Sequence, residues 1–281
     1  MRVLHLCDTE DDYMSAVIWH GLAGQCDLFA AGNIPPSCGR IPTDGRGTMD
    51  DGGRYDLAVV HSMLTRHRTW QWCEPLVNRC DRVAVVEGWD SATECHVPYF
   101  KVDAWFRREV DPSFAYPYQP RNLGFAGCAE WFYDGPKEYD IFFAGNPSHS
   151  VRWNMLRQVF ATRRRHRSIM ASTGFASDYH MLMRLSRLAL CPPGAAGCEA
   201  FRTGEVVAMG AVPVFVGHPP RIRANWFDNS MSFCCTLDNL ADTLDDALGA
   251  DLEGMRRRLA DHFHARHTTA ARAKEILDVF R

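Results

Sequence analysis

The chain has 281 residues, of which 46% are hydrophobic and 23% charged, with a formal net charge of −3. That length and apolar content can bury a substantial core, enough for one large domain or two of ordinary size, and two fit the pattern below better. The slightly acidic balance argues against a general binder of nucleic acid or of anionic membranes.

In chain order, the first part has a repeated strand–helix rhythm. Residues 2–7 read as a strand, 12–22 as a helix, 26–31 and 55–61 as strands, 70–79 as a helix and 82–87 as a fourth strand. The segment 33–53 carries Pro35-Pro36, Asp44-Gly45 and Gly52-Gly53 and is expected to be a long loop. Residues 102–107 supply another strand, and the Pro/Tyr-rich stretch 111–127 is expected to lead into a second domain, with the boundary near Gly135. The expected domains are therefore 1–134 and 135–281.

The second part continues as strand 139–144, helix 151–162, strand 168–171 and helix 177–186. The basic run Arg163-Arg164-Arg165-His166-Arg167 reads as a solvated helix end rather than a nucleic-acid patch. After the central unit described next come a strand at 231–235, a helix at 237–248 and a terminal helical stretch from 251 to 280. The amino terminus opens on a strand, with no signal peptide and no apolar span of bilayer length, so a cytoplasmic location is expected. The eleven cysteines are scattered without a Cys-x-x-Cys pair and are expected to be reduced packing residues. His262, His264 and His267 read as exposed helix histidines rather than a metal cluster.

Residues 188–217 form the unit around which the chain is organised. A short apolar run, 188–191, meets a Gly/Pro-rich turn at 192–197; helical spacing follows over 199–209, then a buried-type strand at 212–216 closed by Gly217. Continuous apolar strands separated by a helix predict a parallel sheet, with ligands at the carboxyl ends of the strands. Gly194 and Gly197 allow close approach of backbone to a ligand, and a helix starting near Cys198 aims free N–H groups at an anion. Arg202 suits phosphate oxygens and Glu205, three residues on, suits a ribose diol. A surface Arg–Glu pair on a packing helix has the same spacing.

The run 198–205, Cys-Glu-Ala-Phe-Arg-x-x-Glu, followed by Ala-Met-Gly-Ala-Val-Pro-Val at 208–214, resembles the donor-nucleotide motif of GT-B glycosyltransferases. The Phe-Arg-x-x-Glu form is similar to exostosin-like members, and the domain to the donor-binding domain of bacterial family-1 enzymes. Upstream, Tyr139-Asp140-Ile141-Phe142-Phe143-Ala144-Gly145-Asn146, then Arg152, resembles the strand and Gly loop that open the nucleotide-binding domain of the same enzymes. The resemblance implies an α/β fold of two Rossmann-like parallel-sheet domains with a cleft between them and a last helix that crosses back to the first domain. It also implies a nucleotide-sugar donor held by Gly145, Asn146, Arg152, Gly194, Gly197, Cys198, Arg202 and Glu205, the Arg at the diphosphate and the acidic residue at the ribose.

Inversion at a sugar carbon needs a base for the acceptor proton. Candidates at the carboxyl ends of first-domain strands are Asp90, Glu87, Asp8 and His61, in that order; each carboxylate is equally a candidate for a helix cap or a solvated turn. Glu87-Gly88-Trp89-Asp90 with Trp105-Phe106-Arg107-Arg108-Glu109 is similar to an Asp-Gly-x-Asp and Phe-Lys-Arg-Glu pattern of some bacterial exostosin-like transferases, Glu87 departing from its Asp. No Asp-x-Asp pair follows a strand, so neither a metal nor another cofactor is expected. The expectation is an inverting glycosyltransferase acting on an unknown acceptor: glycan, lipid-linked, protein or small molecule. A nucleotide-sugar-binding protein without catalysis and a GT-B-fold epimerase stay open.

Overall fold

The computed structural model describes residues 1–7, 13–33, 41–61, 70–88, 95, 97–108, 110–124, 126–145, 150–171, 176–193, 202–217 and 230–281. The chain packs as two compact units, 1–126 with 267–281, and 127–266. The expected division at 134/135 kept the terminal helix with the second domain.

The first unit runs β1 (Arg2–Cys7), α1 (Tyr13–Leu22), β2 (Asp27–Gly32), β3 (Thr48–Met49), β4 (Tyr55–His61), α2 (Trp70–Val77), β5 (Cys80–Glu87), β6 (Ala104–Arg107) and β7 (Pro120–Asn122). All are parallel, in the order β3-β2-β1-β4-β5-β6-β7. The strands build outward from β1 in one direction and from β4 in the other, so the connections reverse between β1 and β4. In open α/β sheets that reversal is where a crevice opens at the carboxyl edge. The central strands are buried on both faces, which is why they read as continuous apolar runs. One face packs Leu4, Leu6, Ala58, Val60, Val83 and Val85 with Cys73 and Val77 of α2. Every residue of α1 is buried, so the helix has no polar stripe to signal its orientation.

The second unit runs β8 (Tyr139–Ala144), α3 (Ser150–Phe160), β9 (Ser168–Ala171), α4 (Ala176–Arg184), β10 (Ser186–Cys191), α5 (Arg202–Ala208), β11 (Val212–Val216), β12 (Phe233–Cys235), α6 (Leu240–Gly249) and α7 (Leu252–Arg266). Its parallel sheet has the order β12-β11-β10-β8-β9, so the reversal falls between β8 and β10. Ile141, Phe143, Leu188, Leu190, Val212, Val214 and Val216 form one core with Met155 and Val159 of α3 and with Leu240 and Leu244 of α6.

Three departures from the sequence pattern have local causes. The loop 33–53 contains β3 and the stretch 111–127 contains β7; both are edge strands of two or three residues, and Pro120 occupies the first position of its strand, where a missing N–H costs least. The terminal helical stretch is two helices, α7 and α8 (Thr269–Leu277). Thr268 breaks it: its backbone is extended and its hydroxyl accepts the N–H of Ala271, an N-cap that starts α8 afresh.

Helix α8 packs on α1 within the first unit. A side-chain carbon at Gly21 would stand 2.0 Å from the carbonyl oxygen of Thr269 and 2.9 Å from the Ala273 methyl, so the helices meet backbone to backbone there. Gly21→Ala is expected to lower stability by roughly 1–3 kcal/mol, the usual cost of overpacking. A calorimetric melting temperature equal to the parent's would show that α8 does not dock as described.

Candidate functional site

The second-unit site lies at the β8/β10 reversal. Arg202 opens α5 after β10 and is only 7% exposed. Its Nη2 donates to the carbonyl of Ala144, the last residue of β8, at 2.6 Å, and its Nε donates to the Tyr179 hydroxyl at 3.2 Å. The guanidinium carbon stands 5.2 Å from the Phe143 ring centroid. Gly145 makes room for this: a side-chain carbon there would lie 3.3 Å from Nη2 and 2.9 Å from the Phe143 ring. The fork is therefore held on one side only, and Nη1 has no hydrogen-bond partner among the described residues.

Behind Arg202 is a polar chain. Tyr179 donates to Glu205 Oε2 at 3.0 Å, and His180 Nε2 lies 3.3 Å from Glu205 Oε1. The Trp131 ring is 4.6 Å from that of His180. Burial, then the Glu205 carboxylate, push the Tyr179 hydroxyl far above its usual range, so it remains a donor to Glu205 while accepting from Arg202. Glu205 is 1% exposed and is bridged to Arg202 by that hydroxyl, while its charge also raises the proton affinity of the guanidinium. Burial, then the charge of Arg202, lower the pKa of Arg152 at the start of α3. The charge of Arg152 is thus felt by the Arg202 guanidinium at the carboxyl end of β8, and like charges that act on each other favour an anion.

Of the donor residues expected from sequence, the structure brings together Gly145, Arg202 and Glu205, with Arg152 close enough to feel Arg202. Asn146, Gly194, Gly197 and Cys198 lie outside the described residues. Tyr179, His180 and Trp131 were not foreseen. Their one sequence signal is a pair of polar aromatic residues early in the helix that leads into β10.

In the first unit, His61 ends β4 beside the β1/β4 reversal, and its Nε2 lies 2.9 Å from Nε2 of His5 on β1. Both rings are buried, and the Trp19 ring of α1 stands edge-on to His5 at 5.4 Å. Burial, then the neighbouring His61, push His5 well below its usual 6.5, so His5 is neutral. Glu87 ends β5 and is 1% exposed. Its Oε2 takes hydrogen bonds from Arg107 Nη1 and from Tyr118 Oη, and Tyr118 stacks on Trp105 at 3.9 Å. That is a buried ion pair between neighbouring strands, a structural use of the carboxylate. Asp8, Trp89 and Asp90 lie outside the described residues.

No protein-family model and no curated protein matches the chain. Solved structures do. HepE of Anabaena in complex with UDP aligns with a TM-score of 0.63 at 7% identity, covering 99% of each chain. The chain has the GT-B fold. A glycosyltransferase from Rickettsia africae aligns at 0.62 and 10% identity over 99% of this chain and 97% of that one. Sucrose-phosphate synthase from Thermosynechococcus elongatus aligns at 0.61 and 8% identity, over 100% and 98%. At these identities the likeness is one of GT-B architecture.

Two outcomes follow from this geometry. Tyr179→Phe removes the hydroxyl shared by Arg202 and Glu205; leaving buried polar groups short of a partner costs on the order of 1–3 kcal/mol. The variant should melt lower than the parent, and an unchanged melting temperature would show that the hydroxyl is not a buried bridge. For His5, the unfolded chain takes up below about pH 6.5 a proton that the native ring refuses, so the unfolded state binds more protons and stability falls as pH drops. Unfolding free energies measured between about pH 7 and 5 should fall less steeply for His5→Gln than for the parent.

Proposed function

We propose that the chain is a GT-B glycosyltransferase of exostosin-like type, moving a sugar from a nucleotide-sugar donor to an acceptor hydroxyl with inversion and without a metal. The observation that carries this reading is the buried Arg202 fork at the β8/β10 reversal, with Nη1 unbonded among the described residues and the charge of Arg152 acting on it. In this reading Arg202 and Arg152 face the donor diphosphate, and the backbone at Gly145, Asn146, Gly194, Gly197 and Cys198 approaches it. The UDP bound to HepE makes a uridine diphosphate sugar the first donor to test.

The reaction balances simply. The acceptor oxygen gives its proton to a base and attacks the anomeric carbon as the bond to the diphosphate breaks. The nucleotide leaves with that electron pair, and the two arginines offset its growing charge. For the base we propose a carboxyl-edge group of the first unit: Asp90, Asp8, which follows β1 directly, or His61. Glu87 is spoken for by Arg107 and Tyr118. For Glu205, the contacts with Tyr179 and His180 support a role in fixing Arg202, with the ribose diol as its second use.

Thermal stabilisation by UDP and by UDP-sugars tests the donor half, because a ligand of the native state raises apparent stability. Arg202→Ala should weaken UDP binding by on the order of 1.5–3 kcal/mol, the worth of a hydrogen bond to a charged group. UDP affinity equal to the parent's would end the diphosphate assignment. Asn variants of Asp90, Asp8 and His61 should keep donor affinity, and the one that is the base should lose roughly 10²–10⁴-fold in turnover.

A further inference from the structure

Helix α3 has a second face that the donor site does not use. Met155 and Val159 are its buried side. On the opposite side Trp153 is 58% exposed and Phe160 is 74% exposed. Seven residues apart, they stand on one stripe of the helix, roughly 10 Å along its axis. Arg157, one turn beyond Trp153, is exposed between them, and the helix runs out into Arg163, Arg164, Arg165 and Arg167.

The charge is strongly segregated. Residues 150–167 hold six arginines and no Asp or Glu, leaving 25 basic against 34 acidic residues in the rest of the chain. Asp140 accepts the backbone N–H of Arg167 at 2.9 Å. Asp242 pairs with Arg163 at 2.9 Å, and Asp245 accepts the backbone N–H groups of Arg163 and Arg164. Asp238 lies across a groove from Arg157 but makes no ion pair with it. Arg157 and Arg165 are exposed and form no ion pair among the described residues, and the exposed Arg164 adds its charge to that of Arg163 beside Asp245.

We propose that this ridge is a docking surface for an anionic lipid bilayer, with Trp153 and Phe160 entering the headgroup region and the free arginines meeting lipid phosphates. Large exposed apolar side chains with arginines around them on a helix that is otherwise packed are the chemistry of an interfacial anchor. A nucleic-acid strand is the poorer fit, because base stacking between basic walls uses rings that line a groove, and neither Trp153 nor Phe160 lines the groove beside Arg157. The overall charge of −3 argues against general attraction to such surfaces, and the exposed Arg157, Arg164 and Arg165 beside the two rings reverse this locally. The proposal does not depend on the donor assignment.

The test is co-sedimentation of the full chain with phosphatidylcholine vesicles, with and without phosphatidylglycerol. The parent is expected to bind the anionic vesicles, to leave neutral ones in solution, and to be released by added salt as the charges are screened. Trp153→Ser with Phe160→Ser, and separately Arg157→Glu with Arg165→Glu, should each reduce partitioning by on the order of tenfold or more at the parent's melting temperature. The proposal is overturned by three outcomes: no sedimentation with anionic vesicles, binding that neither double variant reduces, or substitutions that abolish capture of single-stranded RNA or self-association in light scattering while vesicles bind none of the proteins.

Discussion

Burying a guanidinium charge is costly unless hydrogen bonds replace its water, and Arg202 meets that constraint at the seam where two strands part. Its position is over-determined. The β8 carbonyl fixes one nitrogen, Tyr179 from α4 fixes another, and the side-chain-free Gly145 leaves the space. Glu205, one turn along α5, holds Tyr179 in turn, so that β8, α4 and α5 are tied through side chains as well as through packing. A lysine could not do this, because one ammonium cannot present several planar donors in fixed directions. The fork's remaining nitrogen has no hydrogen-bond partner among the described residues.

The first unit solves the same problem of buried polarity in two other ways. His5 avoids the cost by staying neutral, which its burial and the adjacent His61 enforce. Glu87 stays charged and is matched by Arg107 on the next strand, with Tyr118 completing its contacts. The register that places Glu87 opposite Arg107 separates this carboxylate from those that merely follow a strand in sequence. A carboxylate whose oxygen already accepts from a neighbouring strand is the less available base. Topology adds a second filter: β1 and β4 flank the reversal, whereas β5 lies one strand away.

These distinctions explain what was legible in the sequence. The strands 55–61, 139–144, 168–171 and 212–216 coincide with the observed ones because unbroken apolar runs between turn residues are a local property. Edge strands of two or three residues are not local, since their pairing exists only once β2 or β6 offers an edge. The split between α7 and α8 was written at Thr268 but masked by a charged, helix-forming run on both sides. In the site, Arg202 and Glu205 could be picked out by their spacing and Gly145 by the resemblance, while Tyr179, His180 and Trp131 could not, because they approach from other elements. The pairing of Glu87 was hidden for the same reason in reverse: Arg107 lies 20 residues downstream, and sequence does not show strand register.

Composition has a similar blind spot. Net charge limits the average field of a protein but not where the charges stand, and α3 exploits that freedom on two sides at once. Its first turn carries Arg152, whose proton affinity is lowered by burial and then by the charge of Arg202. Its outer stripe presents Trp153, Arg157 and Phe160 to solvent. A packed helix rarely leaves two large aromatic rings exposed on one stripe, since burying each would contribute on the order of 1.5–3 kcal/mol. Met155 and Val159 already anchor α3 to the sheet, so the outer rings are not needed to hold the helix in place. Their placement, with arginines on the same segment and acids elsewhere, is therefore explained by what the ridge meets rather than by what it packs.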